Sequence, residues 1–214
     1  MTDRHERLRS AHLYLVCDDR PDEFLAGALA SGVDIVQLRM KDAPDDRIVS
    51  TGRRFAAAAA QHGALFILND RPDLVPATGA DGVHVGQDDA TVLDARAVVG
   101  PERIVGLSTH SPKQVDAAAR SPVDYIGVGP VHATPTKPGR PAVGLELVRY
   151  AAAHATVPFF AIGGISPANV HAVREAGATR VAVVRALTDA PDARAAARSL
   201  RAAIGTEVRV GSAG

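Results

Sequence analysis

Eight short apolar runs, each followed by a stretch of helical character, constrain this chain more than any other feature. The runs lie at 13–17, 34–40, 65–69, 82–86, 104–108, 125–129, 158–162 and 180–184, and each is rich in Val, Ile, Leu, Phe or Tyr. Several are apolar without alternation, as in Leu65, Phe66, Ile67 and Leu68, or Val181, Ala182, Val183 and Val184. A strand with one wet face alternates, whereas one that is apolar throughout is covered on both faces, as in a parallel sheet. The intervening helical segments are 22–31, 45–62, 91–99, 145–154, 168–176 and 192–203, and Gly32, Gly63, Gly100 and Gly177 follow four of them as stop signals. Ser111 before Pro112, and Ser166 before Pro167, read as an N-cap followed by a first-turn proline. Eight strand-then-helix units in roughly 200 residues predict a single α/β (β/α)8 TIM barrel, with a six-stranded doubly wound sheet as the competing fold. No linker or shift in composition divides the chain, so 1–214 is expected to be one domain with a loose tail over about 206–214.

Charge and cysteine content exclude whole classes of function. Lys and Arg number 24 and so do Asp and Glu, so the basic excess of a non-specific nucleic-acid binder is missing. The single cysteine, Cys17, rules out a disulfide framework within the chain and a Cys-based zinc site, and is expected to be a buried core thiol. The opening MTDRHERLRS has no signal-peptide core, and no apolar run approaches the roughly 18 residues of a membrane span. A cytoplasmic location is expected, with small molecules as partners and neither nucleic acid nor membrane. Assembly with further copies of the chain is left open.

In a TIM barrel the reacting groups gather at the C-terminal ends of the strands. Here the strand bodies are apolar and those ends are polar. Gln37, Arg39 and Lys41 alternate along the second strand, and period-two spacing puts an amide, a guanidinium and an ammonium on one face. Such a set suits phosphate or pyrophosphate, although Arg39 and Lys41 could equally pair with rim carboxylates. Asp70 and Asp89 end neighbouring strands; two carboxylates beside an anion site suit Mg²⁺ held together with phosphate oxygens and water, while each alone reads as a helix cap. Gly163 and Gly164 follow the seventh strand, where backbone N–H groups and the expected helix start at Ser166 favour a phosphate. Loop 131–144 is long and carries Thr134, Thr136 and Lys137 among prolines, which again suits an anion, or else a plain surface loop. His84 lies inside the fourth strand, as a core or a mouth residue. A Ser108–His110 pair lacks the elbow of a nucleophilic serine, and no histidine spacing suggests a metal.

Taken together, QLRMK at 37–41, NDR at 69–71, DGVHVGQDD at 81–89, GLSTH at 106–110, GPVHATPTK at 129–137 and AIGGI at 161–165 resemble the thiamine-phosphate synthase family over nearly the whole chain. The resemblance implies a TIM barrel that joins a pyrimidine diphosphate to a thiazole phosphate with loss of pyrophosphate. It implies that Gln37, Arg39, Lys41, Asn69, Ser108 and Lys137 bind the pyrimidine diphosphate, with Ser108 and Lys137 in the catalytic set. It places Mg²⁺ on Asp70 and Asp89, and the thiazole phosphate on Thr134, Thr136, Gly164, Val184 and Arg185. Three positions depart from the family pattern. Met40 stands where an acidic residue is common, Arg185 where serine is common, and Arg140 lies in a segment that varies freely. The competing readings are a thiazole tautomerase-like isomerase, disfavoured by the presence of Gln87 and Asp89, and a non-catalytic phosphate-binding barrel.

Overall fold

A computed structural model describes residues 3–133 and 141–205. Thr134, Thr136, Lys137 and Arg140, and the expected tail at 206–214, lie outside the described residues. The elements in order are α1 (Arg4–Ser10), β1 (Leu13–Cys17), α2 (Asp22–Ala30), β2 (Ile35–Leu38), α3 (Asp45–Gln61), β3 (Leu65–Asn69), a 3-10 turn (Pro72–Leu74), α4 (Val75–Thr78), β4 (Gly82–Val85), α5 (Val92–Val99), β5 (Ile104–Thr109), α6 (Pro112–Ala118), β6 (Tyr125–Val128), α7 (Gly144–His154), β7 (Phe159–Ile162), α8 (Val170–Glu175), β8 (Val181–Val183), α9 (Arg185–Thr188) and α10 (Ala193–Gly205). All eight strands are parallel, and β1 pairs with both β2 and β8, so the sheet closes into the expected (β/α)8 barrel.

Closure explains why most strands carry apolar residues on both faces. Successive side chains point to opposite faces. One parity, with Tyr14, Val16, Ile35, Ile67, Ile104, Tyr125, Phe160 and Ala182, fills the barrel interior. The other, with Leu13, Leu15, Cys17, Val36, Leu38, Phe66, Leu68, Val181 and Val183, packs outward beneath the helices. Cys17 has the outward parity and is buried, and burial pushes its thiol up to about 12. The folded chain should therefore not react with a disulfide reagent at about pH 8, and should react fully once unfolded in guanidinium. Rapid labelling of the native chain would contradict this packing.

Three aspartates close the N-terminal end of the barrel. Asp34 accepts the His12 and Leu13 N–H groups at 2.7 and 2.9 Å, Asp81 accepts that of Phe66 at 3.0 Å, and Asp124 accepts that of Val105 at 2.7 Å. Each stands just before an even-numbered strand and satisfies the first N–H groups of its odd-numbered neighbour. Helix α1 seals the same end. Its Arg4 and Arg7 reach Asp81 at 2.7 and 3.3 Å, and its Leu8 is buried against the interior cluster.

The expected strands and helices recur within two residues of their bounds, with one correction at a helix start. Ser111 caps α6 as expected, accepting from the Gln114 N–H. No helix begins at Ser166–Pro167: a turn intervenes and α8 starts at Val170. Asn169 braces the turn: its Oδ1 accepts from the Ser166 N–H and its Nδ2 donates to the Gly164 carbonyl, both at 2.9 Å. The Ser166 carbonyl still accepts from the Asn169 and Val170 N–H groups at 3.2 and 3.0 Å, but Asn169, at φ −123°, leaves the helical region, so regular helix waits until Val170.

Candidate active site

A cavity of about 380 Å³ opens at the C-terminal ends of the strands. It is lined by Gln37, Arg39, Lys41, Asn69, Asp70, Asp89, Ser108, Gly164, Val184 and Arg185, so every expected site residue within the described residues meets there.

The three alternating residues of the second strand share one face but play different parts. Gln37 is buried. Arg39 lines the cavity, and its side chain forms no hydrogen bond or ion pair among the described residues. Lys41 Nζ lies 3.2 Å from Asp70 and 4.0 Å from Asp89, so for Lys41 the rim pairing holds, with the two carboxylates singled out for a metal. Met40 has the opposite parity and packs against the outer core, where an acid would lack such contacts.

Asp70 adopts φ 60°, a left-handed conformation that Asp and Asn tolerate better than most residues. Burial, then the neighbouring Asp89, holds its carboxyl above the usual carboxylate range, while Lys41 pulls the other way. Asp89 is braced by the Gly86 N–H at 3.0 Å, and a Cβ on Gly86 would stand 2.5 Å from that carboxylate oxygen. Thr91, not Asp89, caps α5, which leaves Asp89 available to the cavity. The next residue after Asp70 turns away: Arg71 forks onto Asp45 at 2.6 and 2.9 Å and onto Asp73 at 2.9 and 2.6 Å. Its guanidinium keeps both carboxyls below their usual range and ties the β3 loop to the start of α3. Among the described residues no three His, Cys, Asp or Glu side chains form a metal cage. The Asp70–Asp89 pair, with the Lys41 ammonium beside both, is a donor set of hard oxygens that fits Mg²⁺.

Inside the barrel Gln37 Nε2 donates to the Tyr14 hydroxyl at 2.6 Å. That hydroxyl lies 2.8 Å from the Tyr125 hydroxyl, which lies 2.9 Å from His84 Nδ1. His84 Nε2 is 2.9 Å from Ser108 Oγ. His84 is thus a mouth histidine and the partner of Ser108, whereas His110 Nδ1 bonds the Gly129 carbonyl. Tyr14 and Tyr125 went unnoticed in the sequence. The available signal was parity, since each is a polar-tipped side chain at an inward position. Gly106 makes room for Tyr125, because a Cβ there would stand 2.1 Å from the ring. Gly106→Ala should cost about 1–3 kcal/mol by overpacking, read as a lower denaturant midpoint. An unchanged midpoint would show that the ring moves freely.

The glycine pair after β7 has φ values of 105° and 63°. A Cβ on Gly163 would meet Pro130 Cα at 2.5 Å, and one on Gly164 would meet His132 Cβ at 2.7 Å. The Val131 and His132 N–H groups also bond the Ile162 and Gly163 carbonyls. Close approach of the β6 loop therefore requires these glycines, beyond any exposure of backbone to a ligand. Val184 precedes the single-turn α9, and the Arg185 side chain has no ion pair among the described residues. The dipole expected from a helix at Ser166 is not available to this corner.

Fold and site together define a TIM barrel whose mouth is equipped for an anionic ligand. Residues 13–187 match the family model described as thiamine monophosphate synthase. The thiamine-phosphate synthase of Thermus thermophilus is 50% identical over 197 residues, covering 88% of this chain and 95% of the relative. That of Gloeobacter violaceus is also 50% identical, over 192 residues, but this chain spans only 56% of its length. Among solved structures, thiamine phosphate pyrophosphorylase from Pyrococcus furiosus superimposes with a TM-score of 0.84 at 30% identity, covering 94% of this chain and 97% of that one. The chain belongs to the thiamine monophosphate synthase family.

Proposed function

We propose that the chain condenses 4-amino-5-hydroxymethyl-2-methylpyrimidine diphosphate with 4-methyl-5-(2-phosphoethyl)thiazole, giving thiamine phosphate and pyrophosphate. The observation that carries this reading is the mouth itself. Arg39, with no carboxylate partner among the described residues, stands beside a Lys41–Asp70–Asp89 cluster in a cavity large enough for two small substrates. An aminopyrimidine stabilises positive charge on its exocyclic carbon as the diphosphate departs, so the main demand on the protein is to neutralise the leaving group. Arg39, Lys41 and Lys137 supply that charge, Ser108 donates a hydrogen bond, and Gln37 and Asn69 orient the pyrimidine. Asp70 and Asp89 would hold Mg²⁺, which when bound supplies further charge neutralisation at the diphosphate. Thr134, Thr136, Gly164, Val184 and Arg185 take the thiazole phosphate. A cytoplasmic setting goes with this reading, because both substrates carry phosphate and do not cross membranes unaided.

The test is to incubate the protein with both precursors and Mg²⁺ and to weigh the products by mass spectrometry. Thiamine phosphate with an equivalent of pyrophosphate supports the reading. Recovery of both precursors unchanged overturns it, and isomerisation of a thiazole carboxylate phosphate alone would mark the tautomerase-like alternative.

A further inference from the structure

The hydrogen-bonded series Gln37–Tyr14–Tyr125–His84–Ser108 is continuous, and its links join residues 23, 111, 41 and 24 positions apart. Only barrel closure brings them together, and all five line the floor or wall of the cavity. The two phenols in its middle are buried, with Tyr14 2% and Tyr125 0% exposed. Burial holds both phenols well above their ordinary range, so each keeps its hydrogen.

The direction of the series follows from its first member. An amide nitrogen only donates, and a hydroxyl has one hydrogen to give. Because Gln37 Nε2 donates to Tyr14, the Tyr14 hydrogen is left for Tyr125, and the Tyr125 hydrogen for His84 Nδ1. A neutral imidazole that accepts at Nδ1 carries its proton on Nε2, which then donates to Ser108 Oγ. The Ser108 hydrogen is left for the cavity. Within the series, a proton on His84 Nδ1 would leave the Tyr14 or the Tyr125 hydrogen without an acceptor, at a cost of about 1–3 kcal/mol.

We infer that Tyr14, Tyr125 and His84 are positioning residues that form a polarised relay, fixing His84 as the Nε2–H tautomer and presenting the Ser108 hydroxyl to the cavity as a donor. A donor there suits the oxygens of a diphosphate, and an acceptor would oppose them. Under the function proposed above, one series of hydrogen bonds therefore links the residue that orients the pyrimidine to one that binds its leaving group.

The test reads the tautomer, not the rate. In a sample labelled with ¹⁵N-histidine, long-range ¹H–¹⁵N correlations report which ring nitrogen of His84 carries the proton, with the resonance assigned by its loss in His84→Asn. The wild-type chain should show Nε2–H. Gln37→Glu replaces a donor with an acceptor-only carboxylate of the same shape. Above the pH at which the ¹³C shift of the new carboxyl reports its ionisation, it should reverse every bond and move the proton to Nδ1. Adding Tyr14→Phe to that variant cuts the relay and should return the proton to Nε2. The relay is overturned by Nδ1–H in the wild type, by Gln37→Glu that keeps Nε2–H, or by a reversed tautomer that survives Tyr14→Phe. Should Gln37→Glu not fold, the wild-type spectrum decides alone. Wild-type chain with Nε2–H but no thiamine phosphate formation would overturn the proposed function and leave the relay standing.

Discussion

Asp70→Asn should cut thiamine phosphate formation by roughly 10²–10³-fold, the usual loss when one preorganised charge-stabilising group is removed, and should also make the metal-free protein harder to melt. The two effects have one cause. Asp70 is kept above its usual range first by burial and then by Asp89, so folding penalises its ionised form. Where the folded pKa is raised, the folded state binds more protons than the unfolded one, and stability falls as pH rises from about 4 through the raised value. Arg71 holds Asp45 and Asp73 in the opposite direction, so the contribution of Asp70 is read as a difference: the Tm advantage of metal-free Asp70→Asn over wild type should grow across that pH range. Asparagine also tolerates the φ of 60° at this position, so no backbone strain offsets the gain. The variant gives up its pairing with Lys41, 3.2 Å away and half-exposed, but it also removes the like charge that Lys41 offsets and leaves Lys41 beside Asp89. Thermal melts at several pH values, with and without Mg²⁺, check the argument. A lower Tm than wild type without metal, or an equal upward shift with metal in both proteins, would sink it.

How far the sequence discloses this molecule follows from which distances are local. The barrel was legible because closure makes both parities of several strands apolar, and runs such as Leu65–Leu68 print that directly. The Ser166 start was legible only in part: its carbonyl accepts from the Val170 N–H, but the backbone of Asn169, at φ −123°, breaks the helical run and α8 begins at Val170. Two short helices, α4 and α9, are single turns with too little periodicity to register. In the site, the spacing of Gln37, Arg39 and Lys41 placed them on one face, yet it could not tell the amide in the interior from the guanidinium without an ion pair. That difference depends on Tyr14, Asp70 and Asp89, which arrive from other strands. The glycines at 163 and 164 looked like backbone laid open to a phosphate. The crowding that demands them comes from Pro130 and His132, more than thirty residues earlier. The relay was the least visible part, since each of its four bonds joins residues at least 23 positions apart.

Arg39→Ala should lower kcat/KM for the pyrimidine diphosphate by roughly 10- to 100-fold and leave Tm unchanged. Charge-assisted hydrogen bonds contribute about 1.5–3 kcal/mol, and tenfold in rate corresponds to about 1.4 kcal/mol. Stability should not move, because the side chain makes no ion pair among the described residues that its loss could break. Arg39→Lys should recover only part of the rate, since an ammonium cannot grip two phosphate oxygens as a planar fork does. Lys41, two residues on, should behave in the opposite way. Its ammonium faces two carboxylates, so Lys41→Ala leaves Asp70 and Asp89 opposed and should lower the Tm of the metal-free protein. Mg²⁺ should restore that loss, because a divalent cation supplies the charge the lysine gave up. Parallel melts and initial rates on the two variants separate the roles. If Arg39→Ala lowers Tm as much as Lys41→Ala does, the guanidinium is part of the barrel's own charge balance and its assignment to the leaving diphosphate fails.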